Sequence, residues 1–120
     1  MRFDILHANG LFPVGSYEID PMPGCPRVGI SHALQINEGC RGIGYGTRAM
    51  DERIEKAREL GYEVLIATVV AGNVAEEKIL ERFKWRPITT FDNLKTGHTV
   101  NLWVKNINDP YETDWIGGCR

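Results

Sequence analysis

Cys40-Arg41-Gly42-Ile43-Gly44-Tyr45-Gly46 is the stretch on which the reading of this chain turns. A strand-like segment leads into it and an amphipathic helix follows. Glycine at 42, 44 and 46 strips side chains from a backbone about to enter that helix. Glycine permits positive φ and the close approach of another group. A helix start offers unpaired N–H groups and the positive end of the macrodipole. The combination is a seat for a phosphate or pyrophosphate. Spacing excludes two common owners of such a seat. A dinucleotide fingerprint starting at Gly42 would need glycine at 47, where Thr47 stands. A Walker loop ends in Gly-Lys-Ser/Thr, and no lysine occurs between Gly39 and Lys56.

Outward from the loop, Val28, Ile30, His32, Leu34 and Ile36 alternate with Gly29, Ser31, Ala33 and Gln35, which predicts a strand with two distinct faces. On the other side, Met50, Ile54, Ala57 and Leu60 fall at helical spacing, with Gly61 as a stop. Arg48, Glu52, Arg53, Lys56 and Glu59 form the expected solvated face of that helix. Val64–Val70 is a nearly continuous β-branched run, the mark of a strand buried on both sides. Asn73 followed by Glu76 has capping-box spacing, and Ala75, Ile79, Leu80 and Phe83 make the expected buried stripe of a second helix. Ile88–Phe91 and Thr99–Lys105, joined around Asn93–Gly97, predict a closing hairpin. At the start, Arg2–His7 and Leu11–Ile19 read as strands turned at Asn9-Gly10. Pro21, Pro23, Gly24 and Pro26 then predict a loop that no regular element crosses.

With 120 residues the chain is long enough for one domain with its own core, read as residues 1–105 followed by an irregular tail, 106–120. A formal net charge of −2 gives no basic excess for a nucleic-acid surface. No apolar run approaches the roughly 18 residues of a membrane span, and the N-terminus lacks a secretory signature. Cys25, Cys40 and Cys119 are odd in number, widely spaced and outside any metal motif, so reduced thiols, a cytoplasmic setting and no metal are expected.

Arg41-x-x-Gly44-x-Gly46 resembles the acyl-CoA pyrophosphate loop of the GNAT superfamily of N-acyltransferases. The second helix, Asn73-Val74-Ala75-Glu76-Glu77-Lys78-Ile79-Leu80-Glu81-Arg82-Phe83-Lys84-Trp85, is similar to that of the branch containing the ribosomal-protein N-terminal acetyltransferases. Pro13-Val14-Gly15-Ser16-Tyr17 and Arg27-Val28-Gly29-Ile30-Ser31 look like that branch's paired strands. The resemblance runs from about residue 11 to 104. It implies a compact α/β GNAT-like fold: a mixed, mostly antiparallel central sheet with two main helices, without the usual N-terminal strand–helix–helix unit that walls the acceptor site.

It also implies acetyl-CoA as cosubstrate and a primary amine as acceptor, either a protein N-terminus or a small molecule. The backbone amides of Arg41, Gly42, Gly44, Tyr45 and Gly46 would hold the pyrophosphate, with the Arg41 side chain as a further partner. The amides of Leu34 and Ile36 would hold the pantetheine arm and polarise the thioester, and Asn73 would contact the same arm beside its capping role. His32 is the general-base candidate, since imidazoles titrate near neutrality. Its alternation with Leu34 and Ile36 is equally compatible with a core histidine, and Glu38 is a weaker rival. The family's tyrosine acid is replaced by Leu80, leaving Tyr111, Tyr62 or water, while Lys84 stands where glycine usually ends the second helix. His98 and Trp103 are expected to be structural or substrate-lining.

The alternative function is a non-catalytic GNAT-fold module for CoA binding or assembly. The sheet edge near Phe3–His7 calls for cover by a homodimer partner or by the tail's Tyr111, Trp115 and Ile116.

Overall fold

The computed structural model describes residues 1–7, 10–42 and 44–107. Six strands and two helices follow one another as β1 (Arg2–Leu6), β2 (Pro13–Met22), β3 (Cys25–Ile36), α1 (Tyr45–Glu59), β4 (Val64–Val70), α2 (Val74–Arg82), β5 (Arg86–Asn93) and β6 (His98–Asn106). They form one sheet in the order β1-β2-β3-β4-β6-β5. β3 and β4 are parallel because α1 crosses between them, and every other neighbouring pair is antiparallel. This is the mixed, mostly antiparallel α/β sheet with two helices that the sequence predicts. Asn9, Tyr111, Trp115 and Ile116 lie outside the described residues, so the Asn9-Gly10 turn and the role of the tail do not enter the description.

Both helices pack on one face of the sheet. Tyr17 and Ile19 of β2, Leu65, Ala67 and Val69 of β4 and Trp103 of β6 share a single core with Ala49, Met50, Ile54 and Ala57 of α1 and Leu80 of α2. Met50 and Leu80 are fully buried, and burial of such a side chain contributes about 1.5–3 kcal/mol. One consequence overturns the expectation for β4. Leu65, Ala67 and Val69 are buried, but Val64 and Ile66 are half-buried and Thr68 and Val70 exposed. Among the described residues no helix covers the opposite face, so a run that reads as doubly buried is buried once.

The proline-rich segment also behaves differently from its reading. β2 continues through Pro21 to Met22, and β3 begins at Cys25 and includes Pro26, leaving Pro23-Gly24 as the turn. Pro21 lies beyond the residues of β2 that pair with β1, and Pro26 beyond those of β3 that pair with β4, so a missing N–H interrupts neither of those ladders.

A third correction concerns β3. Ser16 pairs with Gln35 and Glu18 with His32, so Ala33 and Leu34 together oppose Tyr17. Ala33 takes φ 56° at this bulge. The inserted residue reverses the face pattern. Gly29 and Ser31 are buried toward the helices, and after the bulge Leu34 and Ile36 pack against the same core. His32 therefore lies on the open face, exposed, and does not share a face with Leu34 and Ile36.

The helix stripes need amending too. Leu60 and Ala75 are exposed, whereas Arg53, read as solvated, is 2% exposed. Lys84 takes the left-handed conformation expected of glycine at the end of α2, with φ 68°. The helix end keeps its shape at the expense of strain in a side-chain-bearing residue.

Candidate active site

β3 and β4 pair over Val28–Ile30 and Val64–Ile66, and no pairing follows beyond Ile30. The parting strands open a cleft of about 290 Å³. One wall is Ser31, His32, Ala33 and Leu34 of β3, the other is Ala67 to Val70 of β4, and Asn73, Glu76 and Arg53 supply the remainder. The cleft thus gathers three residues singled out in the sequence, His32, Leu34 and Asn73. The glycine loop is not part of this wall; it follows β3 beyond Ile36.

Gly44, with φ 93°, is the N-cap of α1 and provides no side-chain cap. The first turn carries no acidic residue. The backbone amides at this end consequently face no carboxylate of their own turn, and the macrodipole favours an anion there. Tyr45 is buried in the core, so its contribution to such a seat is its amide. At Gly46 a Cβ would stand 3.2 Å from Ile79 Cδ1. This glycine serves the close approach of α1 to α2. Arg41 Nε donates to the Ile36 carbonyl at 3.0 Å, which folds the loop back on the end of β3.

Asn73 caps α2, its Oδ1 accepting from the Glu76 amide at 3.3 Å. The cap uses the oxygen, while the residue also lines the cleft. His32 Nε2 lies 2.7 Å from Asp20 Oδ2, an open-face neighbour across the β2–β3 ladder. Glu18 completes a group whose donor atoms fall within 4.8 Å of one another, close enough for a cation. The Met1 ammonium already bonds Asp20 Oδ1, and this contact, followed by His32, holds the Asp20 carboxyl below the usual carboxylate range.

Several expectations find no place in the cleft. Glu38 is exposed in the turn after β3, Leu80 is fully buried, and Tyr62 packs against Gly29. No tyrosine lines the cleft among the described residues. Trp103 is core and His98 exposed.

Four site residues escaped sequence reading: Arg53, Ser31, Glu76 and Asp20. Arg53 Nη1 donates to Ser31 Oγ at 3.1 Å, and its Nη2 lies 3.5 Å from Glu76 Oε1. Burial pulls the Arg53 pKa down, and Glu76 pushes back. A signal existed, because position 53 falls three residues after Met50 and four before Ala57, inside the apolar stripe. For Asp20 there was none, since its partnership depends on strand register.

A family model for the acetyltransferase (GNAT) family matches residues 8–85. The chain belongs to the GNAT acetyltransferase family. Solved GNAT structures share its architecture. An acetyltransferase of the family from Bacillus anthracis matches with a TM-score of 0.77 and 15% identity, over 90% of this chain and 67% of that one. The ribosomal-protein-alanine N-acetyltransferase from Brucella melitensis matches at 0.73 and 23% identity, over 85% and 66%. A GNAT acetyltransferase from Elizabethkingia anophelis, with acetyl-CoA bound, matches at 0.72 and 13%, over 83% and 72%. The GNAT chain described here thus spans roughly two thirds of their length. At these identities the likeness is one of fold. No curated protein matches in sequence.

Proposed function

We propose that this GNAT chain is an N-acetyltransferase that moves an acetyl group from acetyl-CoA to a primary amine, either a protein N-terminus or a small-molecule amine. The observation that carries the reading is the cleft between β3 and β4, with an uncapped, glycine-built helix start beyond one end and the His32–Asp20 pair at its rim. The residues suit acetyl-CoA. The loop amides of Arg41, Gly42, Gly44, Tyr45 and Gly46 would receive its pyrophosphate, and Leu34, Ile36 and Asn73 would line its pantetheine arm. Acetyl-CoA supplies an activated thioester.

In this reading His32 takes a proton from the acceptor ammonium, directly or through water, and Asp20 keeps the imidazole oriented. The neutral amine attacks the thioester carbonyl, the C–N bond forms and the C–S bond breaks, the nitrogen's surplus proton passes to solvent, and the leaving thiolate takes a proton from the imidazolium or from water. The backbone amides of Leu34 and Ile36 would favour the charge that develops on the carbonyl oxygen. Among the described residues nothing covers the sheet face around His32 or the β1 edge, which leaves room for an acceptor as large as a protein N-terminus and for a second copy of the chain.

Thiol release from acetyl-CoA across a panel of peptides and small amines tests the proposal. His32→Ala should lower kcat/KM about 10²–10⁴-fold while CoA affinity is retained. An unchanged pH–rate profile would remove His32 from proton transfer. CoA binding without turnover of any amine would favour a binding module, a rival supported by the absence of tyrosine from the described cleft wall.

A further inference from the structure

The inner end of the cleft is built differently from its walls. β3 and β4 last pair at Ile30 and Ile66, and the space begins at Ser31 and Ala67. Arg53 lines the same cleft and fastens onto this end by its bond to Ser31. Its side chain is 3% exposed, its ion pair with Glu76 is long at 3.5 Å, and its Nε has no hydrogen-bond partner among the described residues. A cation so placed is hard to accommodate next to apolar matter, because contact with methylenes would remove what solvation and pairing it has.

On the reading that acetyl-CoA is anchored at the glycine loop, a cofactor lying along β3 from Ile36 toward its paired part brings its acyl end to this vertex. We infer that Arg53, tied to Ser31 and Glu76, is a specificity residue that limits the acyl group to two carbons. An acetyl group stops short of the guanidinium. A longer apolar chain has to press its methylenes against a buried charge or displace Arg53 from Ser31. Because α1, β3 and α2 each hold one member of the trio, the stop is rigid and cannot swing aside without disturbing three elements.

The test is a set of dissociation constants measured by calorimetry without an amine, so that catalysis plays no part. CoA, acetyl-CoA, butyryl-CoA and succinyl-CoA are the probes. The native chain should bind butyryl-CoA at least about tenfold more weakly than acetyl-CoA, the lower end of what misfit of a methylene costs in a specific pocket. Arg53→Met should narrow that gap to below about threefold. Arg53→Gln, which can still reach for Ser31 but lacks the charge and length, should narrow it in the same direction and serves if the methionine variant does not fold. Equal binding of acetyl- and butyryl-CoA by the native chain overturns the inference whatever the variants do. So does an undiminished gap in a folded variant. Preference of the native chain for succinyl-CoA overturns it as well, since Arg53 would then be reading an anion. Failure of CoA itself to bind the native chain defeats the parent reading, a result separable from all of these.

Discussion

The inner end of the cleft and the glycine loop beyond its outer end are served by the same helix and built on opposite principles. At the loop α1 contributes backbone: an uncapped N-terminus after Gly44, with no acid in its first turn. At the inner end it contributes a side chain, Arg53, held by Ser31 and Glu76. A backbone seat depends on what is absent, so it tolerates little addition at its glycines. A side-chain end depends on what is present and fails by deletion. Substitutions at the first should therefore cost binding, and substitutions at the second should cost stability and selectivity.

The largest expected effect is at the glycine loop. Gly44→Glu introduces a side chain at φ 93° and places a carboxylate where the anion would sit. Charge-assisted hydrogen bonds contribute about 1.5–3 kcal/mol each, so loss of two should weaken CoA binding by at least about 100-fold. Calorimetry giving native affinity would separate the loop from the cofactor.

At the inner end, Glu76→Leu leaves the Arg53 cation without its counterion. Stripping one partner from a buried pair costs about 3–5 kcal/mol; with Glu76 partly exposed and the pair long, about 2–3 kcal/mol is expected from urea unfolding. A loss below about 0.5 kcal/mol would mean that Glu76 does not hold the cation.

The same region has an alkaline signature. Burial first, and then Glu52, push the Tyr17 hydroxyl up to about 12 from an ordinary 10.0, against a smaller opposing pull from Arg53. The unfolded chain releases this proton earlier, so the stability it contributes is complete below pH 10.0 and is lost as pH rises toward 12. Tyr17→Phe should remove up to about 2 kcal/mol of that decline. Parallel stability curves for the two chains between those limits would contradict the assignment.

The smallest effect supplies the control for the first. Lys84 adopts at the end of α2 the same left-handed region that Gly44 occupies at the start of α1. Lys84→Gly should raise stability by about 0.5–1 kcal/mol, seen as a higher Tm. That gain measures what positive φ alone is worth in this chain. Any larger loss of binding in Gly44→Glu then belongs to the anion site.

What the sequence determined by itself was written in short stretches. The glycine loop, the Asn73 cap with its Glu76 amide and the order of strands and helices all depend on residues a few positions apart, because backbone dihedrals and caps are local properties. The sheet with two helices was legible for the same reason. Tertiary structure decided which face each side chain took. The bulge at Ala33 moved His32 away from the face of Leu34 and Ile36, and a β2–β3 register no local signal specifies set it beside Asp20. With both helices on one side, β4 has no second covering layer among the described residues, and Arg53 sank into the apolar stripe, to meet Ser31 and Glu76 more than twenty residues away in either direction. Register and layering are agreements between distant segments, settled by which combination buries the most apolar surface and leaves the fewest charges stranded.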